Sequence, residues 1–148
     1  MIGRIALIVL TLALAPAPAL ADPDADVVAR QDLFRQMQTS LARLDGIARS
    51  SDPDKSRDDL KEAAKDMAMI STQPWQLFGR ETTIARRPSH ASALIWSDPA
   101  GFRAAGSKLS EEAQKLNVAA AKINADDLKK SMAELNAACD ACHRDYRN

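Results

Sequence analysis

Spacings of three and four recur along four stretches of this chain, and each places apolar side chains on one helical face. The first stretch runs from Asp24 to Arg49, with Val27, Phe34, Met37, Leu41, Leu44 and Ala48 on its stripe. Arg30 and Gln31 fill the gap after Val27. The second starts at Asp52-Pro53, an N-cap followed by proline at the first helical position, and carries Leu60, Ala64, Met67 and Ile70. The third starts at Ser97-Asp98-Pro99 by the same signal and carries Phe102, Ala105, Leu109, Leu116, Ala120 and Ile123. The fourth starts near Asn124 or Asp126 and carries Leu128, Met132, Leu135, Cys139, Cys142 and Tyr146.

The connections turn these stripes into a topology. Few residues separate the first helix from the second, or the third from the fourth, and short links make antiparallel neighbours. The pattern therefore predicts an all-α fold, an antiparallel up-down-up-down four-helix bundle. The middle connection, Ser71 to Trp96, is longer and is broken by Pro74, Gly79 and Pro88. It holds Trp75, Phe78 and Trp96, rings that either cap one end of the core or touch a ligand or partner.

Composition narrows the class further. Basic and acidic side chains balance at 20 each and are interspersed, which argues against a nucleic-acid partner. The N-terminus, Met1 to Ala21, reads as a secretory signal peptide. Arg4 supplies its charge, Ile5 to Ala15 its apolar run, and Ala19-Leu20-Ala21 its small-x-small cleavage site. The run is shorter than the ~20 residues of a membrane span. Cleavage after Ala21 leaves residues 22–148 as one domain in the periplasm, with no membrane contact; an uncleaved anchor is the alternative.

The chemistry is concentrated near the C-terminus. Cys139-Asp140-Ala141-Cys142-His143 is the attachment signal for a c-type haem. On a helix, Cys139 shares a face with both Cys142 and His143. The two thiols are placed to add to the vinyl groups of one porphyrin, and His143 to ligate its iron from one side. One covalent haem c is therefore the expected cofactor. A dithiol redox pair calls for a βαβ pattern, and no convincing strand is present. A tetrahedral zinc site calls for four ligands, and only His90 remains to join the motif. His90 itself reads as an exposed loop residue among Arg, Pro and Ser.

With these features together, the chain resembles the cytochrome c′ family over nearly all of residues 22–148. The resemblance rests on Arg30-Gln31-Asp32-Leu33-Phe34 in the first helix and Pro74-Trp75-Gln76-Leu77-Phe78-Gly79 after the second. It rests also on Ile95-Trp96-Ser97-Asp98 before the third and on the tail from Cys139 to Arg147. The loop from Phe78 to Trp96 is longer than is typical of the family and is basic at Arg86-Arg87. The resemblance implies that Arg30 and Gln31 lie against the haem, with Arg30 near a propionate. It places Thr82 at the haem edge, Arg147 beside the proximal imidazole, and Phe34 facing the open side of the iron. It also implies a homodimer through the first two helices, with a monomer as the alternative.

Phe34 shapes the functional expectation. Low-spin relatives place a methionine there as sixth ligand, whereas phenylalanine has no lone pair to give. The resemblance therefore implies five-coordinate, high-spin iron held by His143 alone. Nitric oxide and carbon monoxide then enter by displacing the ring, while water and anions are disfavoured beside an apolar wall. Two roles follow, one-electron transfer and binding of small gases such as nitric oxide. The alternative is a low-spin electron carrier with Met37 as sixth ligand. Peroxidase-like catalysis lacks a distal histidine in the first helix, so the chain reads as a non-enzyme. Its redox partner is not legible in the sequence.

Overall fold

The computed structural model describes residues 22–50 and 53–148. The signal-peptide expectation falls on residues 1–21 and lies outside the described residues, as does the capping role expected of Asp52.

The first helix, α1, spans Pro23–Ala48. Asp22 caps it by accepting from the backbone N–H groups of Asp24 and Ala25, at 3.0 and 3.3 Å. A 3₁₀ turn over Pro53–Ser56 precedes α2, Arg57–Ile70. The second α-helix thus begins later than the Asp-Pro signal indicates, because the proline opens a 3₁₀ turn first. Two further 3₁₀ turns, Pro74–Leu77 and Arg80–Ile84, and a single helical turn, α3, Leu94–Ser97, lie in the long connection. Helix α4 spans Pro99–Ala119, with Asp98 accepting from Gly101 N–H at 3.0 Å. Helix α5 spans Ala125–Tyr146, with Asn124 accepting from Asp127 N–H at 2.9 Å.

The packing order makes the bundle: α1 lies on α2, α2 on α4, α4 on α5, and α5 closes back on α1. The stripes meet in one core that includes Met37, Leu44, Leu60, Met67, Leu109, Leu116, Leu128 and Leu135. Phe34 and Leu41 are only partly buried at its edge, because one end of the bundle opens into a cavity. The opposite end is closed by Arg57, which donates to the carbonyls of Ala120 and Ile123 at 3.0 and 2.8 Å and satisfies acceptors left over at the α4 terminus. Among the described residues no strand forms, and the one backbone bridge joins Ala91 to Arg147. No described helix is long and apolar enough to cross a membrane.

Candidate functional site

A cavity of about 430 Å³ opens between α1, α5 and the long connection. That volume lies within the usual ~300–1,000 Å³ of a cofactor site. Helix α5 supplies one wall, with Cys139, Cys142 and His143 facing in from successive positions of one helical face. The opposite wall holds Phe34 and Met37 of α1, and Trp75, Phe78 and Phe102 complete it.

Both cysteines are free thiols. Burial pushes the Cys139 thiol up to about 11, helped by the charge of Asp140 and by Cys142. Burial raises Cys142 as well, with Asp145 adding to it. An activated redox pair needs the opposite, an attacking thiol lowered toward neutrality. Burial also lowers His143, and the nearby Arg147 cation adds to this against Asp140. The imidazole is thereby kept neutral, the form that offers a lone pair to a metal. Among the described residues no group of three or more His, Cys, Asp or Glu gathers as it would around a bare metal ion. The donor set of two thiols and one imidazole, beside a largely apolar cavity, fits a covalently attached porphyrin.

Arg30 supplies a second point of fit. It is 2% exposed. Its guanidinium donates to the carbonyl of Leu77 at 2.9 Å, to Thr82 Oγ1 at 3.2 Å and to Ser89 Oγ at 3.1 Å. It also lies 4.2 Å above the centroid of the Phe78 ring. Every one of these partners is neutral, and burial lowers its pKa, offset in part by Asp26. A buried cation on a cavity wall whose hydrogen-bond partners are all neutral suits an anionic substituent such as a propionate.

The remaining expected residues fall into place around this frame. Gln31 lines the cavity and donates Nε2–H to the carbonyl of Pro88 at 2.9 Å. Arg147 lines the rim, and its backbone N–H donates to the carbonyl of His143 at 3.2 Å. Thr82 is buried behind Arg30 and does not line the cavity; its hydroxyl donates to the carbonyl of Gly79 at 2.7 Å. Its position comes from the Arg80–Ile84 turn, which points it at the guanidinium. His90 is exposed and stands on the rim. Its backbone carbonyl accepts from Asn148 N–H at 2.8 Å.

The aromatic side of the cavity is a set of edge-on contacts. Phe34 meets Trp75 at 6.1 Å and Phe78 at 6.4 Å between centroids. Phe102 meets Phe78 at 4.8 Å and Tyr146 at 5.3 Å. Trp75 and Phe78 therefore line the cavity, and Trp75 also packs against the main core. The sequence signals for Asn136 and Tyr146 on this face of α5 were their spacings of three and four from Cys139 and Cys142, and for Asp140 its spacing of three from His143. No comparable signal marked Ser89, which reaches Arg30 from an irregular loop.

The family model for cytochrome c′ matches residues 25–147. Cytochrome c′ of Rubrivivax gelatinosus is 29% identical over 128 residues, covering 84% of this chain and 95% of that protein. Cytochrome c-554 of Cereibacter sphaeroides is 30% identical over 122 residues, covering 82% of this chain and 79% of that protein. Among solved structures, a nitric oxide complex of a mutant cytochrome c prime from Alcaligenes xylosoxidans superposes with a TM-score of 0.77 at 27% identity. It covers 86% of this chain and 98% of that one.

Proposed function

This chain belongs to the cytochrome c′ family, which binds haem c covalently, and on that premise we propose a periplasmic haem protein with iron ligated by His143 alone and a role in binding small gases and passing single electrons. The haem, when bound, would supply an iron able to exchange one electron and to take up a small diatomic molecule. Cys139 and Cys142 would hold the porphyrin to α5, and His143, on the same face, would ligate its iron. Arg30 and Gln31 of α1 would steady its polar edge, and the Arg147 cation lies near the imidazole.

The observation that carries this reading is Phe34. It lines the cavity and packs edge-on against Trp75 and Phe78. The ring offers no lone pair and no hydrogen bond, so an anion there loses hydration without gaining a partner. Nitric oxide and carbon monoxide, small and nearly apolar, lose little by displacing it. The nitric oxide complex of the Alcaligenes relative supports this choice of ligand. No imidazole stands on α1 to serve as acid or base, which favours a binder or carrier over an enzyme. Family likeness also favours a homodimer through α1 and α2; sedimentation showing only monomer at micromolar concentration overturns that part.

The test is ligand titration of the holoprotein. Ferrous protein is expected to bind nitric oxide tightly, and ferric protein to bind azide and cyanide poorly. Fast, tight azide binding overturns the apolar pocket.

A further inference from the structure

Behind the aromatic wall lies a second space, distinct from the haem cavity. It measures about 160 Å³ and opens between the Arg80–Ile84 turn, α3 and the start of α4. Its size is close to the ~150 Å³ of an apolar cavity that takes up benzene.

Two kinds of side chain bound it. Trp75, Phe78, Trp96 and Phe102 form an aromatic floor, and Arg80 and Arg103 stand at its edge from two different elements. The indole N–H groups are already bonded. Trp75 Nε1 donates to the carbonyl of Ser71 at 2.6 Å, and Trp96 Nε1 to those of Phe78 and Gly79, both at 3.1 Å. The free side-chain donors are the two guanidinium forks. Both arginines are exposed, and among the described residues neither has a carboxylate within ion-pair distance. Arg35, Arg43, Arg49 and Arg144 each have one.

We propose that this space is a binding site for a small aromatic carboxylate. Its ring lies on the Trp96 and Phe102 side of the floor, and its carboxylate bridges Arg80 and Arg103. A carboxylate matches a guanidinium fork through paired charge-assisted hydrogen bonds. A ring removes apolar surface from water and stacks edge-on with the rings beneath it. The haem cavity has its own cation, Arg30, over the Phe78 ring, and in the holoprotein the porphyrin occupies that cavity. Phe78 and Phe102 line both spaces, so a ring seated here bears on the wall that also holds Phe34.

Benzoate is the probe, titrated calorimetrically into the holoprotein and into Arg80→Gln, Arg103→Gln and the double variant. Both positions are exposed, and far-UV circular dichroism checks that the variants keep the fold. Millimolar benzoate binding is expected, weakened about tenfold in the double variant. Benzyl alcohol, which lacks the charge, is expected to bind more weakly than benzoate and to be indifferent to the two substitutions. A crystal soak is expected to place benzoate between Arg80 and Arg103. The proposal is overturned by an absence of benzoate binding, by binding that ignores the double substitution, or by density in the haem cavity instead. Inorganic phosphate competing as well as benzoate overturns the aromatic half of the site.

Discussion

Arg30 and Thr82 stand 3.2 Å apart in a buried hydrogen bond that spans 52 residues of chain and ties the long connection to the first helix. The bond belongs to a set. Asp24 accepts from the N–H groups of Arg86 and Arg87 at 2.7 and 3.0 Å, and Gln31 holds Pro88. The loop between Phe78 and Trp96 is thus fastened along α1, although it lacks regular structure beyond its short helical turns.

Thr82→Val is expected to destabilise the protein by about 1–3 kcal/mol, because the guanidinium loses one acceptor in a place water does not reach. Thr82→Ser keeps the hydroxyl and is expected to recover most of that loss. Denaturant unfolding of the holoprotein measures both. Equal stability of the valine variant and wild type means that Arg30 finds another acceptor.

Gly106 is where α4 meets Trp75. A Cβ built there comes within 2.6 Å of the indole Cδ2, closer than real Cβ contacts allow. The ring is not free to yield, since its Nε1–H is bonded to Ser71. Gly106→Ala improves helix propensity by about 1 kcal/mol, yet overpacking costs about 1–3 kcal/mol, so net destabilisation is expected. Near-ultraviolet circular dichroism is expected to change with it, as Trp75 shifts against Phe34. A more stable alanine variant contradicts the close packing.

Asp98 gives the fold a defined acid response. Its carboxylate caps α4 through Gly101 N–H and accepts the Tyr146 hydroxyl at 3.0 Å, joining the end of the haem helix to the start of α4. The first of these bonds, then the second, holds its pKa below the usual carboxylate value. A depressed folded pKa gives stability that is present above the unfolded pKa of about 3.9 and is lost as pH falls through the lower folded value. Asp98→Asn keeps a capping acceptor but removes the charge. Its melting temperature is expected to sit below wild type by a constant amount from about pH 7 to about pH 5, with the gap closing below about pH 4. A gap that persists unchanged into acid assigns the loss to geometry rather than charge.

The legible parts of the sequence were those set by local rules. Helical periodicity placed Val27, Met37, Leu44, Leu60, Met67, Leu109, Leu116, Leu128 and Leu135 in the interior, where the structure has them. Asp98-Pro99 and Asn124 marked helix starts because capping needs only a side chain and its next few N–H groups. Ala120 and Ile123 are buried as their stripe predicts but lie beyond the end of α4, since burial continues through the turn. Long-range pairings left no local mark. Arg30 interrupts an apolar stripe, and only the family resemblance placed it at the haem; the partners that bury it lie 47 to 59 positions away and left no local signal. The Gly106–Trp75 contact and the Asp98–Tyr146 bond depend on two elements meeting at a given height, which spacing within one helix does not encode.

The last prediction concerns the sixth position of the iron, where Phe34 and Met37 compete. Both line the cavity. Met37 lies one turn further along α1, about 4.5 Å by helical rise. It is 6% exposed and belongs to the main core, whereas Phe34 is only partly buried and packs on Trp75 and Phe78. For the Met37 sulfur to reach the iron it must leave that core, and the Phe34 ring must move out of its edge-on contacts. Met37→Leu, a volume-conserving change, is therefore expected to cost less than about 1.5 kcal/mol and to leave a high-spin spectrum nearly unchanged. Phe34→Met puts a thioether at the position nearer the open face and is expected to add low-spin character. Absorption and electron paramagnetic resonance spectra of the ferric holoproteins read both outcomes. A wild-type spectrum that is already low-spin, and turns high-spin in Met37→Leu, makes Met37 the sixth ligand and electron transfer the primary role.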